Sequence, residues 1–204
     1  DVTIGAGASS TTTIAGNLSV TGTGAGASDI GALDDVTMDI ENFVDGILIQ
    51  PNSDGSAPTT GTLNGATGNI GIGTGVFTAL TEGDYNIAVG HQTLIANTTG
   101  SYNVAVGYQA LIANTTGDYN VAVGYQALIA TTEACCNTAL GVLALKDNTT
   151  GADNVALGYT TLFANTEGDK NIAIGRQSLY DNTTGSYNTA SGYRSLRQNT
   201  EGDN

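Results

Sequence analysis

No lysine or arginine occurs before Lys146, and the chain has only five: Lys146, Lys170, Arg176, Arg194 and Arg197. Set against nineteen acidic residues, they leave a net charge of −14. Such a chain lacks the basic patch that duplex or single-stranded nucleic acid requires. Anionic membrane surfaces are equally poor partners. No run of about eighteen apolar residues is present, which excludes a membrane-inserted helix, and no signal-peptide pattern occurs. His91 is the only histidine, so a metal site built from histidines is excluded by count. Cys135 and Cys136 are the only cysteines and are adjacent. Neighbours on a strand point to opposite faces, so a disulfide between them is expected to be strained, and both read as unpaired thiols filling small spaces. There is no disulfide framework. Tryptophan is absent, methionine occurs once and proline twice. Charged residues are scarce at 12%, while apolar residues reach 40%, too apolar and too uncharged for a disordered tail. Beginning on Asp1 rather than Met, the sequence reads as a processed protein or a segment of a longer one.

What is present is a period. "NVAVGYQALIANTTGDY" runs from Asn103 to Tyr119, and the next seventeen residues begin "NVAVGYQALIATT". Units of this kind start at Asn69, Asn86, Asn103, Asn120, Asn137, Asn154, Asn171 and Asn188, without insertion or deletion. The second and fourth positions of each unit are nearly always Val, Ile or Leu, and the third is Ala except at Gly71. Period-two alternation with β-branched residues argues for a strand. Position nine is Phe77 and then Leu in every later unit, which predicts a core column. An Asn/Thr/Gly turn follows, and recurrent glycine argues against helix.

One seventeen-residue segment cannot bury its own apolar face, but stacked segments bury one another. The sequence therefore predicts an all-β fold, a parallel β-solenoid of eight 17-residue coils over 69–204. Identical residues stack, and Asn97, Asn114, Asn148, Asn165, Asn182 and Asn199 form a turn ladder. Thr131 breaks that ladder where Ala134 also replaces the usual Gly, so this turn should be the least regular. The Ala position is small enough for another backbone to approach, and is expected to face a crowded interface. A roll this thin leaves a second face to be covered. A homotrimer about a common axis would cover the Ala or Val face.

Two regions precede the repeats. Residues 1–28 are rich in Gly, Ser and Thr and read as a β shaft or connector. Residues 29–68 read as a small acidic hairpin or meander. There Val36–Ile40 and Ile47–Ile49 supply strands, Asp45-Gly46 is a turn signal and Pro51–Pro58 a loop.

Candidate chemistry is sparse. No Ser/His/Asp or Cys/His arrangement converges, no catalytic residue is nominated and no cofactor is implied. "GTGAGAS" at Gly22–Ser28 and "GIGTG" at Gly71–Gly75 open no strand–helix unit and carry no following Lys, which sets aside a phosphate loop. Asp84, Asp118 and Asp169 recur in turns and suit either turn formation or a calcium ladder. Asp, Ser and Ala alternate at that position, which favours the turn. Tyr85, Tyr102, Tyr119 and Tyr187 share the last position of the unit. Tyr108, Tyr125, Tyr159 and Tyr193 share the sixth and are the candidate receptor or glycan contacts, since aromatic columns stack on sugar rings. The competing role is an aromatic ladder that stiffens the rod.

"NVAVG" at Asn103–Gly107, "NIAVG" at Asn86–Gly90 and "NIAIG" at Asn171–Gly175 resemble the head repeats of trimeric autotransporter adhesins, which form parallel β-rolls. The full unit is similar to repeats of bacteriophage tail-fibre-like proteins. The resemblance covers mainly 69–204, and the adhesin repeat is shorter than seventeen residues. It implies a trimeric structural fibre without catalysis: a phage tail-fibre shaft on the virion, acting in host-cell adsorption. Its partners would be other virion structural proteins and a glycan or protein of the host surface. The alternative is a trimeric adhesin or S-layer-like protein on the bacterial cell surface. A depolymerase tailspike would need paired acidic residues in a groove, whereas seven acidic residues here cluster between Asp29 and Asp54.

Overall fold

The computed structural model describes residues 36–40, 43–49 and 65–203. The expected shaft of residues 1–28 and the loop Pro51–Pro58 lie outside the described residues. Among the described residues there are eleven strands: β1 Val36–Ile40, β2 Phe43–Ile49, β3 Ala66–Thr67, β4 Ile70–Ile72, β5 Ile87–Val89, β6 Val104–Val106, β7 Val121–Val123, β8 Thr138–Leu140, β9 Val155–Leu157, β10 Ile172–Ile174 and β11 Thr189–Ser191. No helix occurs among the described residues.

From β4 to β11 each strand pairs in parallel with the next, seventeen residues on, as in Val104 opposite Val121 and Ala105 opposite Ala122. This is a β-solenoid. Eight strands spaced by about 4.8 Å give a stack roughly 34 Å long. β1 and β2 form an antiparallel pair, and β2 continues the sheet by pairing in parallel with β4, Ile47 opposite Ile70. Asp45 and Gly46 lie inside β2 rather than in a turn.

The alternation left open whether the Ala or the Val face is covered, and the Ala face proves to be the inner one. Ala88, Ala105, Ala122, Ala139, Ala156 and Ala173 have no exposed surface and point into the coil. They meet the column of Leu94, Leu111, Leu128, Leu145, Leu162 and Leu179, also fully buried, with Phe77 at its start. A coil of seventeen residues has room inside for one large side chain and several small ones. Ala is therefore the internal residue, and the branched residues on either side of it face outward. The Ala column does not lie at an interface between chains.

Closing such a narrow coil demands unusual backbone. Among the described residues twenty-two non-glycine residues have positive φ, three in each unit from the second to the seventh, for example Gln109 (55°), Leu111 (49°) and Tyr119 (57°). An L-residue in the left-handed region costs about 1–2 kcal/mol. The stacked hydrogen bonds offset this cost, since a conformer repeated in register keeps every ladder aligned. At the fifth position even that compensation fails: Gly90 has φ 139°, and a Cβ there would lie 2.2 Å from Gly107 O. Only glycine fits.

Two buried asparagine ladders run along the stack. In the first, Asn86 Oδ1 accepts from both the amide and Nδ2 of Asn103, at 2.9 and 3.1 Å, while Asn103 Nδ2 also donates to Gly117 O at 2.8 Å. In the second, Asn114 Nδ2 donates to Asn97 Oδ1 (2.8 Å), and Asn165 and Asn182 continue the pattern. The expected break is found. Thr131 leaves Asn114 Oδ1 buried without a partner. Elsewhere a threonine carbonyl collects amides from the preceding turn, as Thr115 O does from Thr98, Thr99 and Gly100, but no such bond reaches Thr149 O from residues 132–134.

Candidate functional site

The outward face of the sheet carries two columns of branched residues. Ile70, Ile87 and Ile172 are 37–42% exposed, and Ile72, Leu140 and Ile174 are 42–44% exposed. From β4 to β11 the centre of each strand is buried and its two flanking side chains are exposed or half-exposed. Single exposed apolar residues are ordinary on any surface, but two columns of branched residues running from β4 to β10 of a parallel sheet, broken only at Thr138 and ending before Thr189 and Ser191, are not. Both faces of parallel sheets are normally covered.

Along the coil this strip is bracketed by aromatics. On one side Tyr85, Tyr102 and Tyr119 stack at centroid distances of 5.3 and 5.0 Å. On the other side His91, Tyr108 and Tyr125 stack at 5.4 and 5.2 Å. Of the candidate contact residues, the structure therefore brings Tyr108 and Tyr125 together and leaves Tyr159 and Tyr193 apart from them, beyond Val142. The ring faces of Tyr108 are turned to His91 and Tyr125, so its rim and hydroxyl meet solvent. Tyr159 carries the Arg176 guanidinium over its ring at 5.3 Å, and Tyr193 carries that of Arg194 at 5.0 Å.

These two contacts belong to a general pattern. Each of the five basic residues lies over an aromatic ring, including Lys170 over Tyr187 (5.2 Å). In a further column, Phe163 and Tyr180 stack at 5.0 Å, with Lys146 above one ring and Arg197 above the other. Lys146 and Arg197 thus cap a stacked pair, while Lys170, Arg176 and Arg194 each lie over a single ring.

The recurrent aspartates are occupied by the backbone. Asp84, Asp118 and Asp169 accept amide N–H groups from Thr67, Ser101 and Ala152 of the preceding turn, each at 2.7 Å. Where serine takes the position, its hydroxyl does the same, as Ser101 Oγ does for Asp84 N (3.0 Å). The Asp/Ser variation thus preserves one role, the accepting of the amide below. Among the described residues no group of three His, Cys, Asp or Glu is placed to hold a metal ion. No helix there is long and apolar enough to cross a membrane.

Reading the sequence missed which face is open. Strand alternation alone leaves the choice between Ala and Val undecided. Coil length was the usable signal: a seventeen-residue loop cannot hold two branched columns together with the leucine column inside.

Comparison with protein-family models, with curated proteins and with solved structures gave no match. The geometry itself defines the class: a parallel β-solenoid with one apolar outer strip.

Proposed function

We propose that this chain is the shaft of a fibre, built from three copies that pack their outward strand faces around a common axis. The observation that carries the reading is the pair of outward Ile/Val/Leu columns over β4–β10, one unbroken from Ile72 to Ile174 and the other interrupted only at Thr138. A strip only two residues wide suits a central axis where three such ridges converge and exclude water. It is also charge-free in every strand from β4 to β11, so copies with a net charge of −14 each approach there with least repulsion. The role is mechanical. Stacked, hydrogen-bonded coils resist bending, and added units add length without changing the section.

By the likeness of the repeats to tail-fibre-like proteins, the fibre belongs to a phage virion and serves host adsorption, without catalysis. Electron microscopy of virions labelled with antibody to residues 69–204 tests the placement. Label on a tail or surface appendage supports it. Label absent from every virion appendage and present on bacterial cells would replace it with the surface-adhesin reading.

A further inference from the structure

The turn that lacks both the Asn and the Gly of the repeat, at Thr131 and Ala134, holds the only two cysteines. Where other units read "NTTGDY" or a relative, this one reads "TTEACC", residues 131–136. The pair does not lie on a strand, as the sequence suggested. It falls between β7 and β8, and Cys136 adopts a left-handed φ of 66°. The two Sγ atoms approach to 2.8 Å. Bonding would bring them to about 2.05 Å. Both thiols are free, Cys136 exposed and Cys135 partly so.

The joining peptide is held on both sides. Cys136 N–H donates to Asp118 O at 3.1 Å, and Cys135 O accepts from Asp153 N at 3.3 Å and from Asn137 Nδ2 at 3.1 Å. Consecutive Cα atoms sit about 3.8 Å apart across a trans peptide, closer than the roughly 4.4–6.8 Å usual for a disulfide. A ring closed here is strained, and strained, exposed disulfides are the reducible ones.

We propose that Cys135 and Cys136 are a redox-labile vicinal dithiol, a modification site that closes reversibly to an intrachain disulfide by exchange with a small-molecule disulfide. In the first step one cysteine thiolate attacks a sulfur of oxidised glutathione, forming a mixed disulfide and releasing one glutathione thiolate. The second cysteine, deprotonated, then displaces the other glutathione. Two protein thiols and one oxidised glutathione become one ring disulfide and two reduced glutathiones. The site lies outside the apolar strip, so closure leaves that surface unchanged. The groups facing it from the neighbouring turns are Asp118 and Asp153.

The test is incubation of the reduced full chain with excess oxidised glutathione, followed by intact-mass measurement and thiol counting. The expected product is a chain two hydrogens lighter with no titratable thiol, restored by dithiothreitol. Cys135→Ser and Cys136→Ser should each instead retain one glutathione, which shows that both sulfurs react. In the reduced wild type, a monosubstituted trivalent arsenical should form a one-to-one adduct with loss of water, and the oxidised protein should form none. Stable glutathione adducts on the wild type, disulfide-linked dimers, or no reaction under conditions where a free cysteine peptide reacts would each overturn the proposal. Circular dichroism of both serine variants separates these outcomes from misfolding.

Discussion

Thr131 and Ala134 replace the Asn and Gly of the repeat together, and the structure gives a reason for the coupling. In Gly100, Gly117, Gly151, Gly168 and Gly185, an added Cβ would lie 2.5 to 2.6 Å from the Oδ1 of the Asn three residues earlier. Ala134 carries that Cβ, and the shorter Thr131 makes room for it. Thr131→Asn alone should therefore drive an amide into the Ala134 methyl, an overpacking cost of about 1–3 kcal/mol. Ala134→Gly alone should cost roughly 0.5–1 kcal/mol through added backbone freedom. The double variant should behave differently. It gives Asn114 Oδ1 its missing donor and frees the turn to place amides 132–134 on Thr149 O, at about 1 kcal/mol for each bond made. It should match or exceed the parent, with a coupling energy of roughly 2 kcal/mol, inside the range for contacting residues. A repeat array need not unfold in a single step. The cycle is therefore best read by hydrogen exchange at residues 132–134 alongside denaturant midpoints. Additivity within about 0.5 kcal/mol, or faster exchange in the double variant than in the parent, would refute the reasoning.

Ala122→Leu should lower the melting temperature far more than Gln109→Leu. Ala122 has no exposed surface, and overpacking there costs about 1–3 kcal/mol, whereas Leu143 already occupies the position equivalent to Gln109 with φ 57°; equal melting temperatures would contradict the packing. Thr160 is β-branched at φ 50° with its hydroxyl buried and unpartnered, so Thr160→Gly should stabilise by about 1 kcal/mol in denaturant unfolding, and a loss of stability would contradict the strain argument. Cys136 is pushed up to about 11, first by its contact with the Cys135 thiol, then by burial and by the Cys135, Asp153 and Asp118 charges. Its reactive thiolate is therefore scarce at neutral pH and grows as pH rises toward 11, and alkylation of Cys136 at neutral pH as fast as that of a free cysteine would contradict this.

The repeat made most of the fold legible. Identical residues seventeen apart must stack if the coils stack, which yields the Leu column, both Asn ladders and the parallel register. It also located the irregular turn at Thr131. Orientation was not legible, because alternation marks two faces without saying which is inside. The left-handed residues were hidden for a different reason: Gln109, Leu111 and Tyr119 have no intrinsic preference for positive φ, and only closure of a short coil imposes it. Likewise the aspartates look like ligands in sequence, and their bonds to amides one turn below become visible only once the stack is built. The tyrosine columns were readable as columns, but not the stacking of Tyr108 between His91 and Tyr125.

Mass measurement in solution, on the wild type and on a Val104→Asp/Val121→Asp variant, tests the assembly most directly. Both valines lie on the half-exposed outer face, so the substitutions leave the interior of the coil intact. The account predicts a trimer for the wild type and a folded, dissociated chain for the variant, with an unchanged β spectrum. A monomeric wild type at micromolar concentration would contradict it, and so would a variant that remains trimeric.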